Sequence, residues 1–455
     1  MGRLRRLINK TRDSMRTQLW PRPLAAITLA LFLGVLIPRL DAEYNDNLAD
    51  WLKGYLFGGG ADSAKSLLSS IVGSLITATS LTFSLTIVTL QLASSQFSPR
   101  LLRTFTQDRV VHYTLALFLG TFTYALTVLR TIRTPTDERE VFVPQIAVTV
   151  AFLLTLASVV GLVLFLAHLA RQIRVENILR VVHAEADETL HKVTQERGAE
   201  SARGGTMPEP PGNAVPLSSS TSGFLVDIDT DGLLAAACEA DAIVVIDVLT
   251  GSSVVAGGPI GGTWGRLGDA VGDEAFPELQ HRVGEALHTG FERTQQSDIG
   301  FGMRQITDVA VKALSPGIND PTTAVHAISH LSALLCAAVD RDLGPELLCD
   351  EQGVLRVVLA RPDLAYLMEV AFTQIRRYGA SEPFVLARIG QALRDLAWQC
   401  RNEADRQAVR GQLARLRDTA AGQDFDDTED RWLADMTHSA DAALRGRWVR
   451  DARQV

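Results

Sequence analysis

The sequence predicts an α-helical membrane protein with four transmembrane helices, N-in and C-in, followed by an α+β cytoplasmic domain that is mostly helical at its C-terminus. Apolar residues form 47% of the chain and are concentrated in roughly its first third. Four long apolar segments there are bounded by charges. The rest of the chain mixes short β-branched runs with amphipathic helical patterns, as in an α+β domain.

The predicted spans are 24–36, 67–92, 113–129 and 146–166. The first is shorter than the roughly 20 residues that cross a bilayer unless its flanks are included. Its basic start imitates a signal peptide, but no Ala-x-Ala cleavage site follows. We therefore expect an uncleaved anchor with Trp20 at the membrane interface.

The orientation follows from the distribution of Lys and Arg near the ends of the spans. One side of the membrane receives the basic segment 1–23, the connection 93–112 and the exit from the fourth span. The other side receives the connections 39–65 and 130–143, where fewer basic residues are mixed with acids. The pattern predicts a multi-pass protein of the inner membrane with both termini cytoplasmic.

The domain boundaries follow from changes in composition. Segment 1–23 is a basic N-terminus and 24–168 is the membrane domain. The helical pattern of the fourth span continues into 169–197, a membrane-proximal helix of the kind that packs on a neighbour, often a copy of itself. Segment 198–222 has the composition of a flexible linker. A small β-containing module is expected over 223–268, with strands at "FLVDI", "AIVVIDV" and "SSVVAGGPI" and a helix over 231–240. A helical domain is expected over 269–455.

Composition and missing motifs exclude several functions. A net charge of -8 argues against nucleic-acid binding, and four scattered cysteines argue against a metal cluster or a disulfide framework. The spacing of His183, Asp187 and His191 could hold a metal, but this helix reads as a solvated face. The glycine run over 257–268 lacks the context of a nucleotide site. We expect no metal, no cofactor and no enzymatic activity.

Span two carries the clearest pattern in the membrane domain. Thr79, Thr82, Thr86 and Thr89 recur at helical spacing, and Gln96 extends the row. One reading is packing between helices, because small hydroxyl residues allow close approach. The other is the lining of a pore around the axis of an oligomer. Ser70, Ser74 and Thr77 form a second polar track.

Arg100 and Arg103 follow the second span on one face of a short helix that begins at Pro99. They could anchor lipid headgroups or form a basic ring at the inner mouth of a pore, which would favour anions. No Asp, Glu, Lys or Arg lies inside the predicted spans. The pattern therefore disfavours an ion-coupled carrier but not a passive path.

The stretch "ALSPGINDPTTA", residues 313–324, reads as a corner between two helices. Pro316 and Gly317 suit the centre of a type II turn, and Asp320 suits an N-cap with Pro321 at the first helical position. Ser315, Asn319, Thr322 and Thr323 are not needed for that corner. They leave open a subunit contact or a pocket for a small anion at the helix N-terminus.

Two segments carry a resemblance: "SLTFSLTIVTLQLASSQFSPRLLRTF" and "GMRQITDVAVKALSPGINDPTTA". Together they resemble a widespread family of bacterial predicted membrane proteins of unknown function, for which the run 315–321 is the most specific motif. The resemblance implies an inner-membrane protein with four N-terminal spans and a cytoplasmic C-terminal domain. It implies no activity. Where the relatives have a hairpin turn resembling Pro-Gly-Asp, this chain has Gly251-Ser252-Ser253.

Together these patterns predict a homo-oligomer in the lipid bilayer, with span two facing a central axis. It would form a channel-like passive pathway for small ions or solutes, regulated by its cytoplasmic part. The alternative is a non-conducting, membrane-anchored sensor or scaffold that binds a cytoplasmic partner.

Overall fold

The computed structural model describes residues 20–44, 56–96, 108–133, 142–172, 174–197, 207–272, 274–294 and 297–449. The chain divides into two compact units, Met1–Arg174 and Val175–Val455. The boundary separates the predicted membrane domain from the rest.

The described part of the first unit contains four long helices: α1 (Pro21–Tyr44), α2 (Ala61–Gln96), α3 (Arg109–Leu129) and α4 (Gln145–Gln172). Each contains one predicted span and extends beyond it. The sequence sets the beginning of α3, where the side chain of Asp108 accepts a hydrogen bond from the Val110 amide.

Helix α3 is the packing centre of the first unit, since it contacts α1, α2 and α4. Its buried face includes Phe118 and Tyr124. Small residues let the neighbours approach: a Cβ on Gly34 of α1 would meet the side chain of Thr127 at 2.8 Å. Between α3 and α4, the buried hydroxyls of Thr121 and Ser158 lie 3.2 Å apart and share a hydrogen bond.

Asp41 connects the far end of α1 to the beginning of α4. It is 1% exposed, and its Oδ2 accepts hydrogen bonds from the amides of Ile146 (2.9 Å) and Ala147 (3.4 Å). A carboxylate at this place satisfies amides that have no partner within their own helix. The predicted first span ends at residue 36, so Asp41 lies outside the segment in which no acid was expected.

Five described helices are long and apolar enough to cross a membrane: α1 to α4 and Pro321–Val339. The fifth lies in the second unit, where half of its most apolar window is buried. This is the burial expected of a core helix. The count of four spans and the orientation of the termini stay predictions.

The second unit begins with α5 (Val175–Val193) and continues through β1 (Val215–Ser218), β2 (Gly223–Ile228), α6 (Thr230–Glu239), β3 (Ala242–Ile246), β4 (Ser253–Val254) and β5 (Pro259–Gly265). Then follow α7 (Ala275–Ala286), β6 (Leu287–Gly290), α8 (Ile299–Ala313), α9 (Pro321–Val339), β7 (Glu346–Cys349) and β8 (Leu355–Leu359). The chain ends in α10 (Leu364–Tyr378), α11 (Pro383–Gln399), α12 (Glu403–Ala421) and α13 (Asp427–Leu444).

The strands form two sheets, ordered β1-β5-β3-β8-β7 and β4-β2-β6. All pairs are antiparallel except β3 and β8. Val244 in β3 lies opposite Val357 in β8, more than a hundred residues later in the chain. Pairing between such distant segments leaves no local pattern in a sequence.

These sheets change the predicted domain boundaries. The strands and the helix expected in 223–268 form, but their sheets include β6, β7 and β8 from the range predicted to be helical. Strand β1 lies within the predicted linker 198–222, of which only 207–222 is described. The expected third strand, "SSVVAGGPI", divides into β4 and β5, which belong to different sheets.

The membrane-proximal helix is also not continuous with the fourth span. Helix α4 ends at Gln172 and α5 begins at Val175. Helix α5 packs on α8 and α9 of its own unit. Its closest approach is at Gly302 of α8, where a Cβ would meet the Ala186 side chain at 2.6 Å. The expected neighbour is therefore supplied by the same chain.

The contact of Asp41 with α4 predicts a graded loss of stability. Replacing Asp41 by Ala leaves two amides without an acceptor and should lower the free energy of unfolding by about 1–3 kcal/mol. Asp41→Asn keeps an acceptor and should cost less. Thermal unfolding in detergent measures both, with Glu43→Ala, an exposed acid of the same helix, as the control. Equal melting temperatures for Asp41→Ala and the control would contradict this role.

Candidate functional site

The predicted threonine row of α2 faces the interior of its own unit. Thr82 is 0% exposed and Thr89 5%, while Thr79 and Thr86 are half-buried. They lie on the same side of α2 as the buried residues Leu68 and Leu75. This position is the one that helix packing requires.

All four threonine hydroxyls are satisfied within α2. Each donates to the carbonyl oxygen four residues earlier, at 2.7 Å for Thr79 and 2.8 Å for the other three. Such bonds let Thr lie against apolar neighbours without an unpaired donor. The side chains of Thr82 and Thr89 are covered by the chain itself, as packing between helices requires. The lining of an axis outside the chain by this row stays a prediction.

A second polar row lies on the opposite face of α2 and is exposed. We call it the outward stripe: Ser66, Gly73, Thr77, Ser80, Ser84 and Gln91. Successive members are three, four or seven residues apart, which places them along one line of the helix. Of the polar track noted in the sequence, Thr77 belongs to the outward stripe, and Ser70 and Ser74 lie beside it.

The outward stripe is the centre of the exposed face of α2. Large apolar side chains flank it: Ile76 is 51% exposed, Leu81 52% and Phe83 51%. The hydroxyl of Thr77 donates to the Gly73 carbonyl at 3.1 Å, and that of Ser70, beside the stripe, donates to the Ser66 carbonyl at 2.8 Å. The lone pairs of these oxygens remain available as acceptors.

The N-terminal end of α3 carries a cluster of ionisable groups. Asp108 binds His168 of α4 through Oδ2 at 2.6 Å and caps α3 through Oδ1. Arg22 of α1 lies 2.7 Å from Nδ1 of the buried His112. These contacts hold three helix ends together. The predicted basic pair Arg100 and Arg103 lies outside the described residues, as does the side chain of Gln96.

The run 315–321 forms the corner between α8 and α9, but not with a type II turn. A type II turn needs a positive φ at Gly317, and the positive φ, 50°, belongs to Asn319 instead. The Ser315 carbonyl accepts from the amides of both Ile318 and Asn319, which continues the helical winding before the chain reverses. Asn is one of the residues that tolerate this left-handed conformation.

The polar groups of the corner are mostly engaged with one another. The Ser315 hydroxyl donates to the Lys312 carbonyl. Asp320 caps α9 by accepting from the Thr323 amide at 3.1 Å and the Thr323 hydroxyl at 2.6 Å. These bonds, the Thr323 hydroxyl first, hold the pKa of Asp320 below its usual value.

The carboxylate of Asp320 thus occupies the N-terminus at which an anion pocket was expected. Pro316, Gly317 and Thr322 are exposed, Pro321 is half-buried, and Ile318 is 42% exposed. A role of this corner in ligand binding or in subunit contact stays a prediction. Across the described residues, no group of three or more His, Cys, Asp or Glu is placed to hold a metal.

A family of proteins described as predicted membrane proteins, DUF2254, matches residues 16–395. The chain belongs to this family. The match covers the membrane helices, both sheets and the 315–321 corner, and it ends inside α11. Helices α12 and α13 lie beyond it.

Relatives of this DUF2254 protein extend further along the chain. An uncharacterized protein of Mycobacterium bovis is 37% identical over 425 residues, covering 92% of this chain and 79% of the relative. An uncharacterized protein of Mycobacterium tuberculosis matches with the same identity and coverage. No solved structure matches the chain. The resemblance seen in the sequence is confirmed, and with it a membrane protein whose apolar helices are followed by a strand-containing domain.

The corner predicts a preference for residues that accept a positive φ at position 319. Asn319→Val should lower the free energy of unfolding by about 1–2 kcal/mol, because a β-branched residue is strained there. Asn319→Gly should leave stability within a few tenths of a kcal/mol of wild type. Chemical unfolding of the two variants measures the difference. A Val variant as stable as the Gly variant would show that the corner has another conformation.

Proposed function

We propose that this protein is a homo-oligomer that forms a channel-like passive pathway for small ions or solutes, regulated by its second unit. The observation that carries the proposal is the outward stripe of α2. Hydroxyl, amide and glycine positions follow one another along most of this helix, on a face that the described residues leave uncovered.

The packing of the first unit supports an axis between copies rather than a path through one copy. The interior beside α3 is occupied by large side chains, among them Phe118, Tyr124 and Phe165, each at most 1% exposed. A pathway therefore needs several copies, with a polar face of each toward the axis. On the described part of α2, the outward stripe supplies such a face.

The chemistry of the outward stripe favours cations. The hydroxyl proton of Thr77 points to a backbone carbonyl, so the lone pairs of this oxygen remain for a passing ion. Oxygen ligands suit hard cations. The stripe contains no charged residue, as expected of a passive path rather than an ion-coupled carrier. Arg100 and Arg103, if they surround the inner mouth, would shift the preference toward anions.

The second candidate is a non-conducting, membrane-anchored sensor or scaffold. The same stripe favours it in one respect: small side chains whose hydroxyls bond their own backbone pack closely against another helix and need no water. In that case the stripe joins copies of the chain without leaving a path between them. The membrane helices would then position the second unit for a cytoplasmic partner.

Flux through purified protein in liposomes distinguishes the two candidates. Thr77→Val and Thr82→Val remove the same hydroxyl from opposite faces of α2. We expect wild type to pass sodium or potassium, Thr77→Val to change the flux several-fold, and Thr82→Val to match wild type. Chloride is tested separately, because chloride selectivity would point to the arginine pair.

Two outcomes contradict the proposal, the first by rejecting the channel and the second by rejecting the outward stripe as its lining. If wild-type liposomes pass no ion above empty liposomes, the scaffold becomes the better account. If wild type conducts but Thr77→Val and Thr82→Val behave alike, the outward stripe does not line the path. Size-exclusion chromatography of each variant in detergent shows whether the oligomer is retained.

A further inference from the structure

Two histidine rings meet where α5 packs on α9. The rings of His183 in α5 and His330 in α9 are in edge-to-face contact, with centroids 5.0 Å apart and planes at 61°. Both side chains are half-buried. Nδ1 of His183 is buried and has no hydrogen-bond partner. The contact joins the first helix of the second unit to its core helix.

Protonation of His330 is unfavourable in the packed state. The pKa of His330 lies below its ordinary value of 6.5, first because of burial and then because of the nearby His183 and His326. The packed arrangement therefore favours a neutral His330 ring.

The helices that surround the two histidine rings also carry charged groups, several of which bond to other residues. On α5, Asp187 contacts His191 at 3.4 Å. On α11, Arg388 donates to the Ser329 hydroxyl next to His330. On α10, Glu369 and Arg376 bond to α12. Helix α8 contributes Arg304, Asp308 and Lys312, the first two of them half-buried.

We propose that the contact of His183 with His330 is a pH-sensitive latch, which holds α5 on α9 while the His330 ring is neutral and releases α5 on acidification. Helix α5 follows α4 in the chain after Arg174. A change in the packing of α5 is thus a change at the point where the chain leaves the membrane helices. The latch goes beyond the proposed function and would operate in a channel or in a scaffold.

The sign of the pH effect follows from linkage. A histidine whose pKa is lower in the folded state binds more protons when it is released. The contribution of His330 to the packing of α5 is therefore complete well above pH 6.5 and is lost as the pH falls below 6.5 toward the lowered pKa.

Hydrogen–deuterium exchange of the full-length protein in detergent tests the latch. Exchange of the 175–193 segment is compared at pH 7.5 and pH 5.5, after correction for the intrinsic rate. We expect several-fold faster exchange of α5 at pH 5.5 in wild type. His330→Phe keeps an aromatic ring without a titrating group and should remove the acceleration. His191→Gln, an exposed histidine of the same helix, should keep it.

The latch is wrong if α5 exchanges no faster at pH 5.5 in wild type. It is also wrong if His330→Phe accelerates as wild type does, because the release would then arise elsewhere. Should His330→Phe fail to fold, His330→Leu, which also lacks a titrating group, replaces it with the same expectation.

Discussion

The hydroxyl groups of α2 must be satisfied without water, and this constraint shapes the whole membrane unit. Threonines on the inner face and Thr77 of the outward stripe solve it in the same way, by donating to carbonyls of their own helix. Because no partner from another helix is required, α2 can carry polar residues on both faces. One face then packs inside the chain, and the other remains exposed between apolar flanks. A second copy or a pathway can use that exposed face.

The rest of the molecule is arranged around two central helices. In the first unit, α3 contacts the three other helices, and Asp41 connects α1 to α4 at one end while Asp108 connects α3 to α4 at the other. In the second unit, α9 contacts α5, α8, α10 and α11. Both units therefore combine one well-packed core helix with peripheral helices whose positions depend on a few polar contacts. These contacts are where regulation can act.

Much of the fold could be predicted from the sequence, and most of the failures share a physical cause. Long apolar segments and N-caps such as Asp320 act locally, so each predicted span lies within a helix and the beginning of α9 at Pro321 was predicted. Pairing of β3 with β8, the burial of Asp41 and the inward direction of Thr82 depend on segments distant in the chain. Helical spacing showed that α2 has polar rows but not which row faces its neighbours. The turn at 315–321 failed for a different reason, because Asn319 adopts the left-handed conformation that Gly317 suits better.

The claim that the outward stripe meets a second copy can be tested by cross-linking in native membranes. In a chain whose four cysteines are replaced by Ala, a single cysteine is introduced by Ser80→Cys on the stripe, Thr82→Cys on the inner face, or Phe152→Cys on the exposed face of α4. A disulfide needs Cα atoms within about 7 Å, so only an α2–α2 contact would join two copies at position 80. We expect oxidation to give dimers with Ser80→Cys alone. Equal yields of dimer for Ser80→Cys and Phe152→Cys would contradict the account. So would the absence of dimers for both Ser80→Cys and Ser84→Cys, a second position on the stripe.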